Sequence, residues 1–148
     1  MKYEVYSDIE ASGDFNIFDF VSIGKNGMIR KRVAFARTEV EDVYNLAFGD
    51  VNEEEEINDY VVSDNGDRNK ILATIVNIVE AYCKRYPDRW IIFEGSTSER
   101  TRLYRMAVGL NFEELSAKFE LYGYADDRIT PFVKNLKVNA FLIKRKKS

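Results

Sequence analysis

The chain has 148 residues, of which 45% are hydrophobic and 14% aromatic, a globular composition at one-domain length. A net charge of −3 argues against a general nucleic-acid-binding role, and no apolar run reads as a transmembrane helix or a signal-peptide core. There is no histidine and one cysteine, Cys83. The commonest general base and metal ligand are therefore missing, no metal site is expected, an internal disulfide is impossible, and the lone thiol fits a reducing, cytoplasmic setting.

The first half reads as strands. Lys2 to Tyr6 is short and alternating, and Phe15 to Ile23 is apolar on both faces. A turn follows at Gly24-Lys25-Asn26-Gly27, with Asn-Gly at its heart. Met28 to Arg37 then places Ile29, Val33 and Phe35 on one face and Arg30, Arg32 and Ala34 on the other, so the two runs should form a hairpin with a solvated basic stripe. Val43 to Phe48 alternates again, with Tyr44, Leu46 and Phe48 together. Asp50 to Glu56 reads as an acidic loop and Ile57 to Val62 as the next strand.

The period changes after Ser63-Asp64-Asn65-Gly66-Asp67, which is turn and cap chemistry. Ile71, Leu72, Ile75, Val79 and Tyr82 recur at helical spacing, with Ile78 and Cys83 widening the face. Pro87 should end this helix near Tyr86. Arg89 to Glu94 reads as a buried strand. A second helix should bury Leu103, Met106, Ala107 and Leu110 and end at Gly109. Phe119 to Tyr122 and Val138 to Ile143 are the closing strands, followed by a frayed basic tail, Lys144 to Lys147. The order predicts one α+β domain over residues 1–148. Its single mixed, strongly bent sheet has an antiparallel N-terminal half, two main helices covering its faces, and a parallel pair between Ile57–Val62 and Arg89–Glu94.

The densest chemistry lies between Gly95 and Arg105. A strand, a glycine turn, three hydroxyl residues and three arginines follow one another there. Ser96, Thr97 and Ser98 open the second helix, with Ser96 and Glu99 in capping-box spacing. Free N–H groups and the helix dipole favour an anion at such a mouth, and Arg100, Arg102 and Arg105 add permanent charge. Arg102 and Arg105 share a helix face, while Arg100 sits apart from them, nearer the mouth. Capping and surface ion pairing are the simpler roles for these side chains. Asp50 and Asp67 could pair as a general base or around a metal, although turn and cap chemistry accounts for both. Cys83 has no histidine to activate it and reads as a packed thiol.

Three blocks carry a resemblance to known proteins. They are Tyr44-Asn45-Leu46-Ala47-Phe48-Gly49-Asp50, then Asn65-Gly66-Asp67 leading to Leu72-Ala73-Thr74, then Gly95-Ser96-Thr97 leading to Arg100-Thr101-Arg102-Leu103-Tyr104-Arg105. Together they resemble a family of small uncharacterised bacterial proteins of about this length, a domain of unknown function. The element order from Ile57 onward is also similar to the Gcn5-related acyltransferase fold. That likeness implies a glycine turn holding the pyrophosphate of acyl-coenzyme A, at Asp64-Asn65-Gly66-Asp67-Arg68-Asn69, and a general acid at Tyr104 in the Leu103-Tyr104 pair. The segment keeps one glycine, and Asp64 and Asp67 would repel a pyrophosphate, so no cofactor is assigned. Gly109-Leu110-Asn111-Phe112 is stretched relative to that family's Gly-Phe.

With no histidine and no convergent acid–base set, the sequence points first to a small binding or interaction module. Its expected partner is a small anionic ligand or another protein, as in one half of a bacterial two-protein regulatory or toxin-neutralising pair. The alternative is a divergent acyltransferase-like enzyme. A V-shaped split between the strands at Ile57–Val62 and Arg89–Glu94 would favour the enzyme, and a closed sheet the module.

Overall fold

A computed structural model describes residues 3–58, 63–95, 97–133 and 137–147. Lys2, Ser96 and the second part of the strand expected over Ile57–Val62 lie outside the described residues.

Strands β1 (Glu10–Ala11), β2 (Ile17–Gly24), β3 (Gly27–Arg37) and β4 (Val43–Val51) form an antiparallel meander. Alternation sets their buried face. Phe18 lies opposite Val33, Val33 opposite Phe48 and Phe35 opposite Leu46, and all five are buried. The β2–β3 turn falls at the expected place, and its left-handed residue is Gly27, at φ 85°. The other face of the hairpin is ion-paired. Arg32 forks onto Asp19 at 2.7 and 2.9 Å, and Arg30 meets Glu55 at 2.8 Å.

Two expectations fail around β4. Asp50 belongs to the strand rather than to the acidic loop, which tightens to a turn held by Glu56 N donating to Asn52 Oδ1 at 2.9 Å. That turn folds β5 (Ile57–Asn58) back onto β4 as an antiparallel partner. After α1 (Arg68–Arg85), β6 (Trp90–Glu94) runs parallel to β4, from Val43 opposite Trp90 to Asn45 opposite Ile92. β5 therefore runs against β6, and the parallel pair is β4–β6 instead of the one expected.

All seven residues assigned to the buried face of α1 are buried, and the helix stops at Tyr86, before Pro87. The expected Lys2–Tyr6 strand is not formed over residues 3–6. Tyr6 instead docks on α1, its N–H donating to Thr74 Oγ1 at 2.9 Å and its ring stacking on Phe20.

The C-terminal half contains α2 (Ser98–Leu110), α3 (Phe112–Lys118), β7 (Phe119–Ala125), β8 (Arg128–Pro131) and β9 (Ala140–Arg145). α2 buries Arg100, Tyr104, Ala107 and Val108, and leaves Leu103, Met106 and Leu110 at the margin of the core. Its inner face is thus rotated from the expected one. Gly109 sits inside the helix. The end comes at Asn111, whose side-chain amide donates back to Ala107 O at 2.9 Å. α3 and β8 were not expected. Nor is the tail frayed as far as Lys146: Lys144 and Arg145 belong to β9, and Lys146 donates through N to Lys118 O and through Nζ to Ser116 O.

The result is one mixed, open, bent sheet, ordered β1-β2-β3-β4-β6-β9-β7-β8 with β5 on β4, and three helices among the described residues. The helices do not divide between the two faces. Ile75, Val76 and Val79 of α1, Tyr104, Ala107 and Val108 of α2 and Leu115 of α3 converge on Leu46, Phe93 and Ile143. The opposite face carries Arg32–Asp19 and Trp90 against Tyr122.

Candidate functional site

The mouth of α2 opens as the sequence suggests, with its cap one residue later. Thr97 is extended at φ −133° and ψ 164°, and its Oγ1 accepts from Arg100 N at 3.2 Å. Thr97 therefore takes the capping role expected of Ser96, which lies outside the described residues. Thr97, Ser98, Arg102 and Arg105 line one open cavity of about 860 Å3 together with Lys137. Glu94, Glu99 and Asp126 stand on its walls, so cations and carboxylates are interleaved there.

Arg100 points elsewhere. It is 2% exposed, and its guanidinium donates to Phe48 O and, at 2.9 Å, to Asn58 O. The sheet explains this. One edge of β4 is covered by β3. Along the other edge, β6 pairs Val43–Asn45 and β5 pairs Asp50 and Val51. Between those stretches β4 and β6 part, and a backbone carbonyl left there must find a donor. Arg100 supplies it with a planar fork. Gly49 makes room, because a Cβ there would lie 2.7 Å from Asn58 O and 2.9 Å from Arg100 Nη2. β5 and Arg100 occupy the gap between β4 and β6; this is not the split expected between Ile57–Val62 and Arg89–Glu94, whose first strand lies partly outside the described residues.

Tyr104 is 3% exposed and packs edge-on against Phe93, with ring centroids 5.5 Å apart. Cys83 is buried on α1, and desolvation pushes its thiol up to about 12. A thiol so protonated is a packing group and not a nucleophile.

A second cleft, of about 610 Å3, opens at the start of α1. Its polar wall is the loop from Ser63 to Asp67 with Arg68, Asn69 and Lys70, and its other wall is Phe48, Ile71 and Leu103. No side chain caps α1, although Asp67 occupies the N-cap position. The Asp67 carboxylate turns away and accepts from the hydroxyls of Ser22, at 2.6 Å, and Tyr6. Burial, then the Asp67 contact, raises the Tyr6 hydroxyl above its usual range. Asp64 is held low by the Gly66 N–H and by Lys25. Asp50 and Asp67 thus have separate partners: Asp50 joins Lys31 and Ser63.

Lys31 is the residue that sequence reasoning missed. It is 2% exposed, lies on the apolar face of β3, and lines this cleft. Among the described residues Asp50 is its one hydrogen-bond acceptor. The signal was available in the run Ile29, Lys31, Val33, Phe35, where a cation interrupts an apolar alternation.

Among the described residues, no three cysteine, aspartate or glutamate side chains are grouped to hold a metal ion, and no helix is long and apolar enough to cross a membrane. No curated protein and no solved structure matches the chain. A family of unknown function (DUF6934) matches residues 2–146, and the chain belongs to that family.

Proposed function

We propose that this protein is a small binding module that accepts an anionic ligand at a helix N-terminus, and that the helix is α1. The observation that carries this reading is Lys31. A lysine is almost never buried without full compensation. Here one carboxylate oxygen meets an ammonium that has three protons, at the wall of a cleft. The uncapped first turn of α1 lines that cleft with Arg68 beside it. The α2 mouth is the weaker candidate, because Thr97 caps it and three carboxylates share its cavity, whereas the two that line the α1 cleft, Asp64 and Asp67, are each engaged by neighbouring donors.

Phosphate-induced change in melting temperature tests the assignment. The shift should vanish in Lys31→Met and shrink in Arg68→Ala, an exposed position whose loss spares the core. It should persist in the Arg102→Ala/Arg105→Ala double variant. The opposite pattern would move the site to α2, and no shift in the parent would refute anion binding at either helix.

The acyltransferase-like reading keeps one observation in its favour. β4 and β6 part beyond Asn45 and Ile92, and the Asp67 carboxylate turns to the hydroxyls of Ser22 and Tyr6. The repulsion expected from the sequence is thereby eased at Asp67, while Asp64 stays on the Gly66 N–H beside the turn. Against it, Arg100 and β5 occupy the gap and Tyr104 is packed in the core. Micromolar binding of acetyl-coenzyme A in calorimetry would favour the enzyme, and its absence the module.

A further inference from the structure

The cleft at the start of α1 is larger than an inorganic anion requires. Its volume of about 610 Å3 falls among clefts that take whole small molecules, about 300–1,000 Å3. Its walls are chemically unlike. The Ser63–Lys70 side offers backbone amides, the cations Arg68 and Lys70, and two carboxylates that already have partners, Asp64 on the Gly66 N–H and Asp67 on the hydroxyls of Ser22 and Tyr6; the facing side offers Phe48, Ile71 and Leu103. Lys31 reaches the cleft from the same sheet face as Phe48, since Val33, two residues on, lies opposite Phe48. Charge and apolar surface therefore adjoin within one cavity.

We infer that the ligand is an amphiphilic anion: a phosphate or carboxylate head carrying a short apolar chain or ring. This rests on the proposed anion site and adds the ligand's second half. The head lies against Lys31 and the first turn of α1, where positive charge and free donors are concentrated. The chain lies along Leu103, which is half-buried on α2 and has apolar surface left to cover. Phe48 and Ile71 are themselves largely buried, so they present edges to a slender chain and not broad faces to a stacked base.

Calorimetry on the full chain with inorganic phosphate, butyl phosphate, octyl phosphate and octanoate tests this. A fully buried methylene is worth up to about fourfold in affinity. Partial burial should still make octyl phosphate at least about tenfold tighter than butyl phosphate. Leu103→Gln should bring octyl phosphate to the butyl level and leave inorganic phosphate unchanged, with Leu103→Ala as the gentler variant if the first melts early. Octanoate binding with the same Leu103 dependence would assign a carboxylate head, and octyl phosphate alone a phosphate head. If inorganic phosphate binds with no gain from the chain, the amphiphile is refuted and the anion site stands. A chain-length gain that survives both Leu103 variants places the chain elsewhere and overturns the inference. If none of the four compounds binds, the anion site falls with it.

Discussion

Replacing Arg100 distinguishes scaffold from site most directly. Arg100→Met keeps most of the stem and removes the fork. Two carbonyls, Phe48 O and Asn58 O, then lose a charged donor in a place where Arg100 itself is 2% exposed. Hydrogen bonds to charged groups contribute about 1.5–3 kcal/mol each, and a buried acceptor left unmet costs its desolvation. The expected loss is therefore about 3–5 kcal/mol, a large part of a typical domain's stability. Urea unfolding at pH 7 would read it as a lower midpoint at unchanged slope. Arg100→Lys should recover less than half, because one ammonium cannot reproduce the planar fork that meets both carbonyls. Any phosphate-induced stabilisation should survive in both variants, on a lowered baseline. A loss below about 1 kcal/mol, or a lysine variant equal to the parent, would refute the staple between β4 and β5.

Three further outcomes follow from packing, capping and titration. Ile75→Ala should cost about 2–5 kcal/mol in urea unfolding, since Ile75 is 4% exposed at the junction of α1 with Leu46 and Phe93. Thr97→Ala should cost about 1 kcal/mol with or without phosphate, because the lost bond to Arg100 N is a cap and not a ligand contact. Burial holds the Cys83 thiol protonated up to about 12, while an unfolded thiol ionises near 9.0. Its stabilisation is complete below pH 9 and is lost as pH rises towards 12, at up to about 1.4 kcal/mol per pH unit. The stability advantage of the parent over Cys83→Ala should therefore narrow between pH 9 and 11, and a constant difference would mean that the thiol is hydrated.

Local pattern made some elements legible. α1 is long, strongly periodic and stopped by a proline, so its boundaries and buried face both follow from the sequence. β2, β3 and β4 alternate cleanly because one face is core and the other is solvated or ion-paired. α3 has seven residues, too few to display a helical period, and is separated from α2 by a single residue, Asn111. All four residues of β8 are exposed, so it has no apolar alternation to display. The parallel partner of β6 was illegible for another reason. It depends on whether the chain after β4 continues outward or doubles back, and the turn at Asn52–Glu56 decides that through Asn52.

The three arginines of α2 show why a site is harder to read than a fold. In sequence Arg100, Arg102 and Arg105 form one basic cluster near a helix mouth. A helix turns about 100° per residue, so two positions separate Arg100 from Arg102 by most of a half-turn. That rotation alone sends one inward and the other outward, but it does not say which. The choice is made on the sheet, where β4 and β6 part and leave Phe48 O without a strand partner. A buried carbonyl tolerates a guanidinium better than it tolerates an apolar side chain that offers it nothing. Lys31 follows the same logic on β3, where Asp50 directly opposite holds a cation on an otherwise apolar face. In both cases the charge faces inward because of a partner distant in sequence, 52 residues away for Arg100 and 19 for Lys31. The arginines left outside, Arg102 and Arg105, share their cavity with Glu94, Glu99 and Asp126. The strongest cluster in the sequence is thus divided between scaffold and solvent, and the cleft with a buried cation forms at Asp64–Asn69, where the residues themselves read as turn and cap and only a resemblance implied an anion.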